Sequence, residues 1–392
     1  MSSVIYLDNA ATSWPKPEPV YAALESFLRG AGANPGRGSH VMAARAAATL
    51  DETRRKLARI IGVADPRRII FASNTTDALN LAIKGVLRPG DHAVTTEMEH
   101  NSVRRPLRAL RDQGVSVSSV AADAEGFTSP ESFLAALRPE TRLVVLTHAS
   151  NVNGAVQPVA EIAAAVRAHS DAFILVDAAQ TLGALPFTME ELDADLLAFP
   201  GHKGLMGPPG TGGLVIGPRV GPDDLRTVRE GGTGGNSEED VQPAELPARY
   251  EAGTVNTVGI AALGAAADVV LELGVPAIRA HEAGLVDRLV EGLGEIPGVY
   301  LLAPRDPERR AAVVSFLIEG WEPVDIGAAL DSSFGIACRT GLHCAPDACK
   351  TLGAFPGGTV RFSPGYYTTE AEIDLALEAV EQLARATLGL AR

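Results

Sequence analysis

Short, mostly apolar runs alternate with amphipathic segments along residues 39–216. The apolar runs predict strands at residues 69–72, 92–95, 116–120, 143–146, 173–176, 196–199 and 213–216. Between most of them apolar residues recur at helical spacing, which predicts helices at residues 45–61, 78–86, 103–113, 131–137 and 159–169. Apolar strands separated by helices are typical of a mostly parallel sheet covered on both faces. Ligands of such sheets bind beyond the carboxyl ends of the strands.

The pattern changes after residue 216. Residues 217–253 are rich in glycine, acids and prolines, and predict a long surface loop. Helical periodicity returns at residues 255–273 and 277–296, and a second unit follows, with strands at 312–318 and 359–362 and helices at 324–334 and 370–388. We therefore predict an α/β fold with a large domain over residues 16–257. Residues 1–15 and 258–392 are predicted to form a smaller α+β domain.

Composition narrows the class of protein. The chain has 392 residues, 46% of them hydrophobic, which is enough to bury a sizeable core and excludes a wholly disordered chain. Its formal net charge of −14 argues against nucleic acid or an anionic membrane as the main partner. A local cluster of arginines at helical spacing predicts a solvated helix face: Arg104, Arg105, Arg108 and Arg111.

The cysteines and the apolar segments bear on the compartment. Cys338, Cys344 and Cys349 form an odd, clustered set, which is a poor disulfide framework and suits a reducing compartment. The first eight residues lack the basic and apolar regions of a secretory signal. The longest apolar stretch, residues 261–273, is too short to span a bilayer and contains Asp268. We expect a cytoplasmic protein.

One lysine stands in a glycine-rich loop between two predicted strands. Such a lysine, Lys203 in Gly201-His202-Lys203-Gly204, is ordinarily a solvated turn residue. Upstream, however, the strand at residues 173–176 ends in Asp177, which it delivers to the ligand edge of the sheet. A lysine that holds a pyridine aldehyde covalently needs such a carboxylate, because an aspartate on the ring nitrogen keeps the ring an electron sink.

At this point the motifs resemble a known family. Asp177-Ala178-Ala179-Gln180 together with the lysine loop is similar to the pyridoxal phosphate site of class V aminotransferases, which have the type I fold. The opening Tyr6-Leu7-Asp8-Asn9-Ala10-Ala11-Thr12 resembles the start of cysteine desulfurases. Arg339-Thr340-Gly341-Leu342-His343-Cys344-Ala345 is similar to the cysteine loop of the group II desulfurases. The resemblance covers essentially the whole chain.

The resemblance implies a cofactor phosphate site at the start of a helix. Thr75 and Thr76 follow a strand and open a helix, where backbone amides and hydroxyls suit an anion. The alternative interpretation, a helix N-cap, is compatible with phosphate binding. His202 is expected to contact the same phosphate.

Three polar residues are expected around the ring. His100 is expected to stack on it and to act in catalysis, and a polar loop histidine is the alternative. Asn151 matches the residue near the ring oxygen and the substrate, and a turn-forming asparagine is the alternative. Gln180 is expected to donate a hydrogen bond to the phenolic oxygen.

The phosphate site departs from the family pattern. Many members carry a hydroxyl residue shortly before the lysine, whereas Phe199-Pro200-Gly201 offers none. Thr254 lies in a segment that resembles the one with which family dimers reach the partner's phosphate. The resemblance therefore implies a homodimer with Thr254 as a cofactor contact across the interface.

The substrate residues follow from the same resemblance. Arg361, on a predicted strand, matches the arginine that binds the substrate carboxylate, for which a planar fork is suited. An arginine that caps a strand edge is the alternative. Arg339 and His40 match flanking active-site positions.

Cys344 is the predicted nucleophile, because a thiolate attacks strongly even when a small fraction is ionised. Gly341, Ala345 and Pro346 around it predict a loop. We expect Cys338 to be a buried structural cysteine, and Cys349 has no predicted role. The spacing lacks the paired motif of a structural zinc site, so no metal is expected.

These residues predict a pyridoxal phosphate enzyme that converts L-cysteine to L-alanine and forms a persulfide on Cys344, for transfer to an unidentified acceptor protein. Lys203 and Asp177 serve the cofactor. Selenocysteine lyase and cysteine or cystine C–S lyase are the alternative activities. A cofactor-binding sulfur carrier or scaffold is the alternative from another class, kept open by Leu342, where group II enzymes commonly have histidine.

Overall fold

The computed structural model describes residues 4–35, 38, 40–234, 238 and 240–387. These residues form the strands β1 (Ile5–Tyr6), β2 (Ile69–Ala72), β3 (His92–Thr96), β4 (Ser116–Val120), β5 (Thr141–Thr147), β6 (Phe173–Asp177), β7 (Leu196–Pro200), β8 (Gly212–Ile216), β9 (Val299–Leu301), β10 (Val314–Ile318), β11 (Ile336–Ala337), β12 (Arg339–Gly341) and β13 (Thr359–Phe362). They also form the α-helices α1 (Glu18–Gly30), α2 (Val41–Ile61), α3 (Thr75–Val86), α4 (Asn101–Arg111), α5 (Pro130–Ala136), α6 (Val159–Arg167), α7 (Thr257–Leu273), α8 (Val275–Glu295), α9 (Pro323–Phe334), α10 (Pro346–Thr351) and α11 (Glu370–Thr387).

In the described chain, seven strands form the central sheet, in the order β2-β8-β7-β6-β5-β3-β4. The pairs from β7 to β4 are parallel, and β8 runs antiparallel to both of its neighbours. The sheet is therefore mixed but mostly parallel, and the predicted α/β fold is confirmed. Because β5, β6 and β7 are parallel neighbours, their carboxyl ends meet at one edge.

Both faces of this sheet are buried, as the apolar runs predict. Val144 and Leu146 of β5 pack with residues of α2, α6 and α7 on one face. Leu143 and Val145 pack with residues of α3 and α4 on the other. Successive side chains of a strand point to opposite faces, so a strand with no polar position in this stretch needs cover on both sides.

A second sheet carries the carboxyl-terminal unit. Its order is β12-β13-β10-β9 with antiparallel pairs, and α8, α9 and α11 pack residues against it. The first strand, β1, pairs in parallel with β11 and so joins this unit. The boundaries of the two predicted domains remain predictions.

The element bounds differ from the sequence prediction in identifiable places. α2 begins at Val41 rather than residue 45, because the His40 ring accepts a hydrogen bond from the Ala43 amide and caps the helix. α1, α10 and the short strands β1, β9, β11 and β12 were not predicted. The last residue of the predicted helix 370–388, and residues 235–237 and 239 of the predicted loop 217–253, lie outside the described residues.

The described part of residues 217–253 contains no helix or strand, as predicted. Its ends are nevertheless fixed to the domain. Tyr250 donates a hydrogen bond to the Leu225 carbonyl at 2.7 Å, and the buried Glu251 accepts one from the Phe71 amide.

None of the described helices is by itself long and apolar enough to cross a membrane. α7 and α8 pass that test of length and composition only as a pair, with an 80° bend between them.

Candidate active site

A cleft of about 760 Å³, open to solvent, lies at the carboxyl edge of the central sheet. Ten of the residues predicted from the sequence line it: Thr75, Thr76, His100, Asn151, Asp177, Gln180, His202, Lys203, Arg339 and Arg361. The structure thus brings together side chains from the carboxyl ends of β5, β6 and β7, from the starts of α3 and α4, and from β12 and β13 of the second sheet.

Asp177 and Lys203 form the floor of this cleft. Asp177 ends β6 and is only 3% exposed, and it accepts a hydrogen bond from the Ala179 amide at 2.9 Å. Burial raises the pKa of this carboxyl to about 6. Burial and the Arg361 charge lower the pKa of Lys203 to about 8. A lysine in this state is readily deprotonated, which a covalent attachment or a proton transfer requires.

The loop that carries Lys203 is shaped by a close backbone approach. The Gly201 amide donates to the Thr211 carbonyl at 2.8 Å, and a Cβ at Gly201 would lie 2.1 Å from the Thr211 hydroxyl oxygen. Only glycine fits there. The amino-terminal segment holds the loop from outside, because Thr12 and Ser13 donate hydrogen bonds to the His202 carbonyl.

The start of α3 provides an anion site beside the lysine. Asn74 caps this helix by accepting the Asp77 amide at 2.9 Å, and Thr75 and Thr76 follow it at the cleft wall. The first amides of a helix have no partner within the helix and carry its positive dipole end. The buried Nδ1 atom of His202 is also without a partner among the described residues. The free amides fit a phosphate group, and the unpartnered His202 nitrogen leaves room for a contact with it.

His100 stands over the cleft as the N-cap of α4. Its Nδ1 atom accepts the Ser102 amide at 3.1 Å, so the ring proton lies on Nε2. Burial, together with the Lys203 charge, lowers the pKa of His100 to about 4, and the ring is therefore neutral. The Ser102 hydroxyl in turn forms a hydrogen bond with the Thr76 hydroxyl at 2.7 Å. This bond links the His100 ring to the start of α3.

Glu99 lies behind the cleft, where it contacts the lining residue Thr147, and the sequence analysis missed it. It is fully buried, and its Oε1 atom accepts hydrogen bonds from the Thr96 hydroxyl at 2.7 Å and the Thr147 amide at 3.0 Å. Its Oε2 atom is buried without a partner among the described residues. Burial, together with the nearby Asp177 charge, raises the pKa of Glu99 to about 8. The carboxyl is therefore neutral, and Asp177 is left as the anion below the ring site. Glu99 lies beside His100, and that position was its only sequence signal.

Two arginines from the second sheet define the substrate end of the cleft. Arg339 of β12 and Arg361 of β13 are directly paired in the antiparallel register, so their side chains share one face. Arg361 is 1% exposed and donates to the Asp8 carboxylate at 2.7 Å and to the Asn151 carbonyl at 3.0 Å. Its buried Nε atom is without a partner among the described residues.

The charge balance there favours an anion. Two guanidinium groups face one carboxylate, that of Asp8, which the sequence analysis did not assign to the site. Burial and the like charge of Arg339 lower the pKa of Arg361, and Asp8 opposes this effect. A carboxylate ligand fits this excess of positive charge.

Cys344 lies in a tight turn at the edge of this cleft, as the small residues around it predict. It is exposed, and Arg339 Nη2 lies 3.5 Å from its sulfur. His343 and Cys344 both have left-handed backbones, with φ of 49° and 58°, which are uncommon for residues other than glycine. Two hydrogen bonds hold the turn. The Asn101 amide donates to the Cys344 carbonyl at 2.8 Å, and the Asn151 side-chain amide donates to the His343 carbonyl at 2.7 Å.

Of the other two cysteines, Cys338 does not match its expected place, and Cys349 had none. Cys338, predicted to be buried, is half-buried, although burial raises the pKa of its thiol to about 12. Cys349 is the fully buried cysteine, because α10 turns its side chain into an apolar cluster with Ala345 and Ala348. Leu342 packs against the same cluster.

Besides Cys344, which lies at the edge, two predicted residues do not line the cleft in the single chain. His40 is exposed and caps α2. Thr254 is exposed and borders a separate groove with Ser73 and Arg229. Gln180 does line the cleft, and its amide donates to the Ala10 carbonyl at 3.3 Å. Among the described residues no group of three or more His, Cys, Asp or Glu side chains is placed to hold a metal ion.

Comparison with known proteins agrees with this geometry. The model of the family described as Aminotransferase class-V matches residues 5–376. The chain therefore belongs to the class V aminotransferases, whose members depend on pyridoxal phosphate.

Particular relatives narrow the resemblance. A probable cysteine desulfurase of Methanothermobacter thermautotrophicus is 38% identical over 384 residues, which cover 97% of this chain and 94% of the relative. The apo structure of a cysteine desulfurase from Thermococcus onnurineus superposes with a TM-score of 0.91 at 35% identity and covers 98% of this chain and 95% of that one. The cysteine desulfurase CsdA of Escherichia coli, solved as its S-sulfonic acid, gives a TM-score of 0.87 at 26% identity and covers the same shares of the two chains.

Proposed function

We propose that this protein is a pyridoxal phosphate-dependent cysteine desulfurase that releases L-alanine and keeps the sulfur as a persulfide on Cys344. One observation carries the proposal. The exposed Cys344 thiol, beside Arg339, stands at the edge of the cleft that holds Lys203 over Asp177. Cysteine desulfurases are also the relatives that match over nearly the whole chain.

The residues present fit the cofactor. In support, the buried Asp177 suits a ring nitrogen, Lys203 suits covalent attachment, and the free amides at the start of α3, with the unpartnered His202 ring nearby, suit the phosphate. Bound pyridoxal phosphate supplies an electron sink for the substrate's carbon atoms. Borohydride reduction of the purified protein is expected to fix the cofactor to the peptide that contains Lys203. A label on any other lysine would contradict this assignment.

The chain's own groups supply binding and proton transfer. Arg361, with an unused buried Nε donor, binds the substrate carboxylate and so fixes which face of Cα points to Lys203. Lys203, with its lowered pKa, takes the Cα proton and returns it. His100 is neutral and covers the ring site, and its Nε2 proton remains available as a hydrogen-bond donor.

Sulfur transfer then requires Cys344. Its thiolate attacks the substrate sulfur, a sulfur–sulfur bond forms, and the bond between that sulfur and Cβ breaks. The bonding electrons stay with the carbon fragment, which takes up a proton and leaves as alanine. Arg339 places a positive charge beside this sulfur, since its Nη2 atom lies 3.5 Å away. His343 supplies no such charge, because its ring is buried and hydrogen-bonded to the Thr359 hydroxyl, and burial lowers its pKa to about 3.

Product analysis separates the alternatives. A desulfurase produces alanine from L-cysteine, whereas a C–S lyase produces pyruvate. A scaffold produces neither. Cys344→Ala is expected to bind the cofactor normally and to lose about 10²-fold or more of alanine production, since no other group replaces the nucleophile. Cys338→Ala and Cys349→Ala are the matched controls. Alanine production at the wild-type rate in Cys344→Ala would refute the mechanism. Selenocysteine, whose selenium leaves more readily, is expected to be turned over better than cysteine by this variant.

A homodimer with Thr254 at the partner's phosphate is part of the proposal. In support, the buried pair Arg54 and Glu251 anchors the segment before Thr254, while Thr254 itself is exposed. Sedimentation of a fully loaded monomer would overturn this arrangement. We also propose a cytoplasmic location, for which the three free cysteines are the supporting observation.

A further inference from the structure

Helix α4 carries four arginines and no acidic residue in a chain whose net charge is −14. Arg104, Arg105, Arg108 and Arg111 lie at helical spacing on one face, which we call the basic face of α4. The opposite face, with Val103, Leu107 and Leu110, is buried against the central sheet.

The basic face lies next to the turn of Cys344. The first residue of α4, Asn101, donates its amide to the Cys344 carbonyl at 2.8 Å. One turn further, Arg104 forms an ion pair with Asp347 of α10, the helix that follows Cys344. The charge of Arg105 is near enough to lower the pKa of His100. A molecule that reaches the Cys344 sulfur from outside therefore passes the basic face.

Part of this charge is not neutralised by the protein. Arg104 is paired with Asp347, and Arg108 with Asp112. Arg105 is exposed and has no ion pair or hydrogen bond among the described residues. Arg111 is exposed and donates only to the Val117 carbonyl, which leaves its charge uncompensated.

We propose that the basic face of α4 is the docking surface for a protein thiol that accepts sulfur from Cys344, and that this acceptor carries acidic side chains beside its thiol. The proposal rests on the proposed desulfurase function. At physiological ionic strength charges are screened beyond about 8 Å, so an approaching group close to the thiol feels the local arginines more than the net charge of −14. An extended polyanion such as RNA reaches past the basic face to the acidic remainder of the surface, which favours a protein acceptor.

The transfer step is a thiol exchange and needs no added oxidant. The acceptor thiolate attacks the outer sulfur of the Cys344 persulfide, and a new sulfur–sulfur bond forms on the acceptor. The original bond to the Cys344 sulfur breaks, and Cys344 leaves as a thiolate.

The test uses the loaded enzyme after one turnover with L-cysteine, so that Cys344 carries labelled sulfur. The probes are three short peptides with one central cysteine, flanked by four aspartates, four serines or four lysines. Transfer of label to each peptide is followed by mass spectrometry. Each rate is divided by the rate of the same peptide with the neutral 2-hydroxyethyl disulfide, which removes the effect of the flanking charges on the peptide thiol itself.

We expect the acidic peptide to accept sulfur about tenfold faster than the basic one at low ionic strength, and less than about twofold faster in 0.5 M salt. Arg105→Glu combined with Arg108→Glu is expected to abolish or reverse the preference. The matched control is Arg55→Glu with Arg59→Glu on α2, which changes the net charge by the same amount. It also replaces two exposed arginines, one in an ion pair and one not. This control is expected to keep the preference for the acidic peptide. Turnover of cysteine with a small neutral thiol is expected to be unchanged in both double variants.

Any of three results would overturn the proposal. The first is that the wild type shows no preference among the peptides at low salt, and the second is that the α2 variant loses the preference to the same extent as the α4 variant. The third is that a single-stranded oligonucleotide binds the basic face while the enzyme does not distinguish the peptides. If the charge reversals alter the oligomeric state or the circular dichroism, Arg105→Gln alone replaces them, and an undiminished preference in that folded variant likewise refutes the proposal. If the wild-type enzyme produces no alanine from L-cysteine, the proposed desulfurase function itself is refuted.

Discussion

Replacing Glu99 with glutamine tests whether this buried carboxyl is neutral. The change keeps the size of the side chain and the carbonyl oxygen that accepts hydrogen bonds from Thr96 and Thr147. It removes only the ionisable proton. If Glu99 is protonated in the folded protein, glutamine is a close replacement. If it were ionised, glutamine would remove a buried negative charge next to Asp177.

The pKa of Glu99, raised to about 8 by burial, sets the magnitude. Between about pH 4.5 and 8 the folded protein holds this proton and the unfolded chain does not. The free energy of unfolding contributed by Glu99 is therefore fully present below about pH 4.5 and is lost as the pH rises, by about 1.4 kcal/mol per pH unit. Glu99→Gln has no such loss. Its stability relative to the wild type is expected to increase by about 4 kcal/mol from pH 5 to pH 8.

The assay is chemical denaturation of wild type and variant at half-unit steps from pH 5 to pH 8, followed by circular dichroism. At pH 5 the variant is expected to lie within about 1.5 kcal/mol of the wild type, since one hydrogen-bonded group replaces another. The exposed Glu140 provides the control, because Glu140→Gln is expected to run parallel to the wild type at every pH. If the difference in unfolding free energy between Glu99→Gln and wild type stays constant with pH, Glu99 does not hold a proton. The assignment of a neutral Glu99 beside an ionised Asp177 would then be wrong.

Three further changes test other parts of the structure. Asp177→Asn is expected to keep part of the cofactor absorbance but to lose about 10²-fold or more of alanine production, because the amide does not hold the ring nitrogen protonated; full activity would contradict its role. Glu251→Ala removes the nearer carboxylate partner of the buried Arg54, which then keeps only its longer ion pair with the largely exposed Asp51, and is expected to cost about 3 kcal/mol of unfolding free energy, measured by denaturation. Cys349→Ser is expected to cost about 1–3 kcal/mol, because it places a hydroxyl in an apolar cluster, and Cys338→Ser at its half-buried site is expected to cost less; the reverse order would contradict the burial of the two thiols.

The sequence predicts the parts of the fold that depend on local periodicity. The continuous apolar runs around Val144 and Ile174 place the strands within one or two residues, since burial on both faces removes every polar position. The short strands β1, β11 and β12 escape prediction because two or three residues carry no period. Their pairing is decided by the second unit, with Ile5 opposite Ile336 across 331 positions of the chain.

The site divides in the same way. Asp177, Lys203 and Thr75 were predictable because each follows a strand whose carboxyl end faces the ligand edge. The pairing of Asp8 with Arg361 was not, since it joins residues 353 positions apart and depends on how the segment after β1 lies against the end of β13. The direction in which the His343 side chain points could not be predicted from the sequence either. Its left-handed backbone turns the ring inward to Thr359 and leaves the thiol of its neighbour outside.

That turn explains why Leu342 is compatible with a reactive thiol. A histidine at this position would enter the apolar cluster around Ala348, where Leu342 now packs, rather than the side of the turn that carries the sulfur. The positive charge beside the Cys344 sulfur comes from Arg339 instead, one strand away. Donors from α4 and from Asn151 fix both carbonyls of the left-handed turn, and such strained backbone persists only where its surroundings hold it. Because Asn151 also accepts the Arg361 side chain, the group that binds the substrate carboxylate and the turn that presents the nucleophile are held by a single residue. Substrate position and thiol position are therefore set together.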